Sequence, residues 1–217
     1  RRQKGMGKRN LYCFYKKRNR TSNKNKMKIL YYDLETTGVK YWKNGIHQIA
    51  GMVEIDGEIV ETFNFNVQPH PKCIIEPEAL KVGNVTLEQV QAYPPMEIVY
   101  KRFINILAKY IDKFDKKDKF FLCGYNNAAF DNQFLRAFFD QNNDGYFGSW
   151  FWNSIIDVFV LASDKLKYER AEMPHFDLAS VARHLGIAVK ENSLHDALYD
   201  VNLTREIYKI LPILWLN

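Results

Sequence analysis

Short apolar runs alternate with polar, turn-forming residues along the chain, and their spacing predicts strands and helices in turn. Three early runs predict β-strands, and they lie at Ile29–Tyr32, Ile46–Glu58 and Ile59–Val67. The Asp56-Gly57 pair where the second and third runs meet is a strong hairpin signal. We therefore expect the chain to begin its fold with a β-meander in which the second strand is antiparallel.

The rest of the chain carries apolar residues at helical spacing between two further strand-like runs. Strands are predicted at Lys119–Tyr125 and near Ile155, and Asn142–Gly148 is predicted as a turn. The first predicted helix lies near Glu76–Lys81, and the second begins at an N-cap at Thr86. Further helices are predicted at Met96–Phe114, at Phe130–Phe139 and from the strand near Ile155 to Leu161. The last two run from an N-cap at Asp177 to Leu185, before Gly186, and from an N-cap at Ser193 to Leu211, before Pro212. This order predicts an α/β fold with a mixed five-stranded sheet flanked by helices in three layers.

Charge is distributed unevenly along the chain. Residues 1–28 contain twelve Lys or Arg and no acidic residue, whereas residues 29–217 contain nineteen basic and 25 acidic residues. Residues 1–27 are therefore predicted to be a basic, disordered arm, and residues 28–217 to be the folded domain. The arm would bind phosphates, or it would be a tail upstream of a start at Met27.

Composition excludes several classes of protein. Cys13, Cys73 and Cys123 are far apart and odd in number, which argues against a disulfide framework or a zinc site and favours a reducing, cytoplasmic location. No apolar stretch reaches membrane-spanning length, and the basic N-terminus lacks the apolar segment of a secretory signal, so we expect no membrane partner.

Two acidic residues follow the first strand in the sequence K-I-L-Y-Y-D-L-E-T-T-G, which spans residues 28–38. Side chains alternate along a strand, so Asp33 and Glu35 are expected on the same face. A divalent cation would neutralise both carboxylates, and oxygen ligands suit Mg²⁺ or Mn²⁺. The alternative is a strand end whose acidic side chains point into water.

Four further residues also have more than one interpretation. Asp131 is expected where a strand leads into a helix, at the edge of an α/β sheet where ligands bind, but it would equally serve as a helix cap. His195 is expected in the first turn of the last helix, where a single His is usually structural or solvent-exposed. Asp196 and Asp200 are like charges four residues apart, which is unfavourable unless a cation intervenes.

Three motifs in this order resemble the DEDD superfamily of 3′→5′ exonucleases. They are D-L-E-T-T-G with Asp33 and Glu35, N-x-x-F-D-x-x-F-L with Asn127, Phe130, Asp131, Phe134 and Leu135, and H-x4-D with His195 and Asp200. A His five residues before the last Asp, rather than a Tyr four residues before it, resembles the DEDDh (DnaQ-like) group, which includes the proofreading ε-subunit of bacterial DNA polymerase III. The likeness spans roughly residues 28–211. Asn126 is a departure, because relatives often carry His there.

The resemblance implies a ribonuclease-H-like fold and two-metal phosphodiester hydrolysis. Asp33, Glu35, Asp131 and Asp200 would hold two divalent cations, Mg²⁺ or Mn²⁺, and His195 would be the general base. Thr36, Thr37, Asn127 and Phe130 would contact the terminal nucleotide. A single-stranded 3′ end is the expected substrate because stacking on a ring needs an unpaired base.

The motifs leave the substrate and the partner open. A 3′→5′ exodeoxyribonuclease of the proofreading or repair type, with a DNA polymerase as a candidate partner, is the first hypothesis. A ribonuclease T or oligoribonuclease type of RNA trimmer would use the same five residues. An inactive nucleic-acid-binding module is disfavoured because no catalytic position is lost, and a structural protein with these acids by chance is the remaining alternative.

Overall fold

The computed structural model describes residues 26–211, and its centre is one mixed β-sheet. The strands are β1 (Lys28–Thr36), β2 (Ile46–Ile55), β3 (Glu58–Asn66), β4 (Phe121–Gly124) and β5 (Ile156–Asp157). They lie in the order β3-β2-β1-β4-β5, with β2 antiparallel to β1 and β3, and with β4 parallel to β1 and β5. The predicted five-stranded mixed sheet and its opening meander are confirmed.

The turn between β2 and β3 has the backbone that its sequence demands. Asp56 and Gly57 have φ values of 52° and 93°, and a two-residue hairpin with positive φ at both positions matches the right-handed twist of the flanking strands. At the other end of β2 the register is irregular. Glu35 pairs with Gln48 but Thr36 pairs with Ile46, so His47 is an extra residue on β2. Such a bulge bends the strand and redirects a side chain.

The helices fill both faces of the sheet. They are α1 (Pro77–Val82), α2 (Leu87–Gln91), α3 (Met96–Tyr110), α4 (Asp131–Gln141), α5 (Phe147–Trp150), α6 (Val158–Lys165), α7 (Leu178–His184) and α8 (Ala197–Ile210), with 3₁₀ turns at Arg170–Glu172 and Glu191–Ser193. The predicted capping box of α2 is confirmed, since the Thr86 hydroxyl accepts a hydrogen bond from the Gln89 amide and the Thr86 amide donates to the Gln89 side chain. The predicted cap of α7 is also confirmed, because Asp177 Oδ1 accepts from the Ser180 amide at 2.7 Å.

Some predicted boundaries differ from the structure. The segment 142–148 was expected to be a turn throughout, but α5 begins at Phe147, because Phe147 and Trp150 are both buried and a helical turn places them on the core. Helix α3 ends at Tyr110 rather than Phe114, which is 85% exposed and adds nothing to the apolar stripe. Strand β4 is shorter than the predicted Lys119–Tyr125.

The alternating side chains of β1 divide the core into two layers. Leu30, Tyr32 and Leu34 pack with α3 and α4, whereas Ile29 and Tyr31 pack with α6, α7 and α8. Asp33 and Glu35 point to the opposite face from Leu30, Tyr32 and Leu34, so they lie on the face that α8 covers. The sheet is therefore the middle of three layers, as predicted.

A buried ion pair fastens α8 to the sheet. Glu54 on β2 is 5% exposed, and its carboxylate lies 2.8 Å from an Arg205 guanidinium nitrogen and 3.3 Å from Lys209 Nζ. The Tyr31 hydroxyl donates a long hydrogen bond of 3.4 Å to the same carboxylate. Because Asp200 lies in the first turn of α8 and His195 lies just before that helix, these contacts also help to fix the position of the site.

Two further observations concern the predictions on membranes and thiols. Within residues 26–211, none of the helices combines the length and the apolar character needed to cross a membrane. Cys73 and Cys123 are both free thiols. Cys13, the basic arm up to residue 25, and Pro212 lie outside the described residues.

Candidate active site

Asp33 and Glu35 lie near the end of β1, the central strand of the sheet. Both carboxyl groups are partly buried beneath α8. Burial raises the pKa of Glu35 to about 8, and the charges of Asp200 and Asp131 add to this effect. Burial also raises the pKa of Asp33 well above its usual range, with Asp131, Glu35 and Asp200 as the main charged neighbours. The two acids therefore lie among other acidic side chains.

Asp131 is the first residue of α4 and enters the site from the neighbouring strand. The preceding helix-cap position is Phe130, and no side chain caps this helix, so Asp131 does not have the capping role that was its alternative explanation. The carboxyl is only 6% exposed. Burial raises the pKa of Asp131 to about 7, although the amides of Asp131 itself and of Leu34 act in the opposite direction.

Asp157 positions the turn that leads to Asp131, and sequence reasoning did not single it out. Its two carboxylate oxygens accept hydrogen bonds from the amides of Asn126 at 3.0 Å and Ala128 at 3.1 Å, and one of them also accepts from Phe159. Asn126 has a φ of 59°, as expected for a turn-forming residue. The only sequence signal for Asp157 is an acidic residue at the end of a short apolar run.

The start of α8 differs from the prediction. Ser193 ends a 3₁₀ turn, and the N-cap is Asp196, whose side chain accepts from the Tyr199 amide at 3.0 Å. His195 therefore precedes the helix instead of lying in its first turn. Its φ is 65°, a left-handed conformation that His adopts more readily than most residues. Asp196, rather than Ser193, is the N-cap because it stands three residues before the Tyr199 amide, which needs an acceptor at the start of the helix.

This conformation directs His195 towards Asp200, in the first turn of α8. The His195 amide donates to Asp200 Oδ2 at 3.2 Å. Burial raises the pKa of Asp200 to about 6, while the His195 amide and side chain counteract the shift. The other oxygen, Asp200 Oδ1, is buried without a hydrogen-bond partner among the described residues. A buried carboxylate oxygen without a donor is costly, and a cation would satisfy it.

The predicted residues thus converge from three separate parts of the chain. Glu35, His195 and Asp200 each offer one ligand atom, and these atoms all lie within 4.8 Å of one another. Asp33 and Asp131 belong to the same electrostatic cluster, since the charge of Asp131 raises the pKa of both Asp33 and Glu35. Partly or fully buried carboxylates repel one another unless they are protonated or share a cation. This donor set fits divalent cations that prefer oxygen ligands, such as Mg²⁺ or Mn²⁺.

A cavity of about 330 Å³ opens beside the cluster. Its walls include His175, Arg183, Leu194, His195 and Asp200. It therefore combines apolar surface, a guanidinium group and two residues of the cluster, and its size is at the lower end of the range for small-molecule sites.

Thr37, which is predicted to contact the substrate, has its polar groups bonded within the protein in this conformation. It is fully buried, and its hydroxyl donates to the Ile74 carbonyl and accepts from the Gly45 amide. Its own amide and carbonyl are bonded to Gly45 and Glu76. These bonds occupy its polar groups and hold the loop after β1. The Thr36 hydroxyl likewise donates within this loop, to the Gly38 carbonyl at 2.8 Å.

Asn127 and Phe130 differ in their accessibility. Asn127 is fully buried beside the Tyr32 hydroxyl, and its side-chain nitrogen and oxygen have no partner of ordinary geometry among the described residues. Its carboxamide is therefore not exposed to a nucleotide in this conformation. Phe130 is half-buried, with its ring centroid 5.0 Å from that of Phe134. Part of the Phe130 ring remains available for stacking.

Comparison with protein families identifies this arrangement. The family described as exonuclease matches residues 30–208, which include all five predicted catalytic positions. Among curated proteins, the chain is 28% identical over 178 residues to the PolC-type DNA polymerase III of Clostridium perfringens, covering 82% of this chain and 11% of that protein. It is 26% identical over 208 residues to exodeoxyribonuclease I of Buchnera aphidicola, covering 87% of this chain and 40% of that protein.

Another relative is the ε-subunit of DNA polymerase III from Pasteurella multocida. It is 27% identical over 184 residues, and the alignment covers 81% of this chain and 64% of that protein. The chain thus spans between about a tenth and two thirds of the length of these relatives.

Solved structures show the same fold. Escherichia coli exonuclease I in complex with a dT13 oligonucleotide superposes with a TM-score of 0.68 at 21% identity, over 85% of this chain and 41% of that one. The zinc-bound form of the complex of E. coli exonuclease I with single-stranded DNA gives a TM-score of 0.69 at 20% identity, over 88% and 42% of the two chains. The ribonuclease-H-like fold predicted from the motifs is confirmed. With the family matched over most of its length, the chain belongs to the DnaQ-like family of 3′→5′ exonucleases.

Proposed function

We propose that this chain is a divalent-metal-dependent 3′→5′ exonuclease that removes nucleoside 5′-monophosphates from the 3′ end of single-stranded DNA. The observation that carries this proposal is the meeting of four carboxyl groups and one imidazole, contributed by β1, α4 and the start of α8. Nothing in the folding of an α/β domain requires four acids to approach one another, and the raised pKa values of Glu35, Asp131 and Asp200 mean that folding alone opposes it.

The four carboxylates have the role of holding two cations against a phosphodiester. Asp33 and Glu35 project from one strand and form one side of the cluster, while Asp131 and Asp200 approach from two helix N-termini. The positive ends of those helix dipoles favour carboxylates in the first turn. Bound divalent cations would lower the pKa of a water molecule and neutralise charge on the reacting phosphate.

His195 is proposed as the general base. Its side chain is exposed and reaches the atoms of Glu35 and Asp200, while its amide is fixed by Asp200. One ring nitrogen would accept a proton from the attacking water as the water oxygen bonds to phosphorus. The bond from phosphorus to the 3′ oxygen of the preceding nucleotide then breaks, which releases a 5′-monophosphate. The departing 3′ oxygen takes a proton from solvent to become the new 3′-hydroxyl, and His195 returns its proton to solvent.

The substrate assignment rests on the surroundings of the cluster and on the relatives. The available part of the Phe130 ring offers a stacking surface for an unpaired base, and the Thr36 backbone lies at the same end of β1. The relatives are named as a DNA exonuclease and as parts of DNA polymerases, which favours DNA over RNA. On the same grounds we propose a role in proofreading or repair, with a DNA polymerase as a candidate partner.

Two proposals concern the rest of the chain. The exonuclease domain would comprise residues 28–217, with the basic arm at residues 1–27 offsetting the acidic domain when it binds a polyanion. We also propose a cytoplasmic location, in keeping with the free thiols of Cys73 and Cys123.

The test is digestion of single-stranded DNA and RNA of equal length, labelled at either end, with Mg²⁺, with Mn²⁺ and with a chelator. The proposal expects immediate release of a mononucleotide from 3′-labelled DNA, a ladder of shortening products from 5′-labelled DNA, and no reaction with the chelator. Faster digestion of RNA would instead favour the RNA-trimming alternative. Binding without cleavage under all cation conditions would favour a binding module and contradict the proposed reaction.

A further inference from the structure

His47 is a buried histidine next to the cluster that neither the motifs nor the family match explains. It is the extra residue at the bulge of β2, directly opposite the step from Glu35 to Thr36 on β1. Its side chain is 2% exposed, and Nε2 is buried without a hydrogen-bond partner in the described part of the chain. A buried polar atom left without a partner costs about 1–3 kcal/mol, so its presence calls for a reason.

Gly83, the residue that ends α1, shows where this nitrogen points. A Cβ atom placed on Gly83 would lie 3.2 Å from His47 Cε1, 3.3 Å from His47 Nε2 and 3.8 Å from Glu35 Oε2. The imidazole edge and the Glu35 carboxylate therefore border the same narrow space. Only a glycine at position 83 leaves this space open.

The segment that carries Gly83 is fixed to the loop after β1. The Glu76 amide, just before α1, donates to the Thr37 carbonyl at 2.8 Å, and the Glu76 carboxylate pairs with Lys43 at 3.1 Å. Asn44 adds a hydrogen bond from its side chain to the Ile74 carbonyl. The approach of Gly83 to His47 is thus part of the built structure of this side of the site.

The chemical state of the ring suits a hydrogen-bond donor. An imidazole ring carries a hydrogen on at least one of its two nitrogens, so Nε2 can donate a hydrogen bond. With a cation bound, Glu35 is an ionised carboxylate that only accepts hydrogen bonds, so a hydrogen on Nε2 is what it would engage. Residues that hydrogen-bond to metal ligands orient those ligands, and their loss typically weakens metal binding by about 10–100-fold.

We propose that His47 is a positioning residue: when a divalent cation binds, Nε2 donates a hydrogen bond to the Glu35 carboxylate and holds it in the orientation that binds the cation. Gly83 is its companion, because a Cβ atom there would crowd the imidazole and require it to shift by a few tenths of an ångström. This role rests on the proposed function, in which Glu35 is a cation ligand.

The test is titration of the protein with Mn²⁺ in the absence of nucleic acid, followed by calorimetry or by the paramagnetic resonance of free Mn²⁺. His47→Leu removes the donor but fills the space, and it should weaken Mn²⁺ binding about 10-fold without loss of thermal stability. His47→Gln restores a donor near the same place and should recover part of the affinity. In turnover assays, His47→Leu should lower kcat at saturating DNA and leave the KM for the oligonucleotide unchanged.

Gly83→Ala provides a second variant that keeps the imidazole. It should weaken Mn²⁺ binding in the wild-type background but have no further effect in the His47→Leu background, because the two changes act on the same hydrogen bond. Trp150→Phe is the matched control, since it removes another buried N–H without a partner, in the core on the opposite face of the sheet. This control should bind Mn²⁺ like the wild type.

Each remaining outcome separates this proposal from the proposed function. Wild-type protein that binds no Mn²⁺ would overturn both. If the wild type binds Mn²⁺ and His47→Leu binds it with an affinity within twofold, the role of His47 alone would be overturned. If His47→Leu also gained thermal stability, His47 would be a packing residue. An equal effect of Gly83→Ala in both backgrounds would show that position 83 does not act through the imidazole.

Discussion

Replacing the Asp131 carboxyl by an amide should stabilise the cation-free protein at alkaline pH. Asp131 is 6% exposed, and its pKa is raised from 3.8 to about 7, chiefly by burial. Between these values the unfolded chain releases a proton that the folded chain retains, so the stability of the folded state falls as the pH rises from about 4 to about 7. Above pH 7 the whole cost of ionising the buried group is present.

The size of the effect follows from the difference between the two pKa values. One pKa unit corresponds to about 1.4 kcal/mol, so the shift of Asp131 corresponds to roughly 4 kcal/mol at pH 8. Asn has the shape of Asp without its charge. We therefore expect Asp131→Asn to raise the free energy of unfolding by about 4 kcal/mol at pH 8, and by less than about 2 kcal/mol at pH 5.

Urea unfolding in the presence of a chelator, at pH 5 and pH 8, measures this difference. Asp140→Asn is the matched control, because Asp140 lies near the other end of the same helix and is exposed, and it should change stability by at most about 0.5 kcal/mol. Added Mn²⁺ should stabilise the wild type at pH 8 but have little effect on Asp131→Asn. Identical pH dependence in the wild type and Asp131→Asn would refute the conclusion that this carboxyl is destabilised by its surroundings.

Three further predictions follow from the structure. Arg205→Met should lower the free energy of unfolding by about 3 kcal/mol in urea titrations, because it leaves the buried Glu54 carboxylate with only the longer contacts to Lys209 and Tyr31. Adding Glu54→Gln should recover most of the loss, and a single variant as stable as the wild type would contradict this. His195→Ala should lower kcat on 3′-labelled DNA by at least about 100-fold with an unchanged circular dichroism spectrum, and unchanged turnover would refute the nuclease assignment. Deleting residues 1–26 should make binding to single-stranded DNA less sensitive to salt. The slope of log binding constant against log salt concentration should become shallower by about 0.7 for each phosphate that the arm neutralises, and an unaltered slope would show that the arm does not bind the substrate.

Sequence signals predicted the features that depend on contacts between residues close together in the chain. The Asp56-Gly57 hairpin and the Thr86 and Asp177 caps were all predictable, because each depends on contacts within four residues. The alternation along β1 likewise predicted that Asp33 and Glu35 would share a face. These contacts form wherever the chain adopts the predicted element, so no knowledge of the tertiary structure was needed.

Features that depend on competition or on distant partners were not predictable in the same way. Ser193 and Asp196 are both acceptable N-caps, and only the path of the chain into α8 decides for Asp196 and leaves His195 before the helix. Thr37 belongs to the motif, but its bonds to Gly45 and Ile74 depend on the return of a later loop.

Asp157 and His47 show the same limitation more clearly. Neither residue stands out in its own stretch of sequence. Asp157 accepts a hydrogen bond from the amide of Ala128, 29 residues away, and His47 lies beside Gly83 on another segment. A bulge such as the one at His47 depends on how two strands pair, which the sequence of one strand does not specify.

The most direct test of the central claim is the anomalous scattering of Mn²⁺ in crystals grown with MnCl₂ and a short single-stranded DNA. If Asp33, Glu35, Asp131 and Asp200 form a shared cation site, two peaks about 4 Å apart should lie within bonding distance of these carboxylates, with His195 beside them. Crystals that contain bound DNA but show no peak at these four residues, or show peaks only elsewhere, would contradict the account.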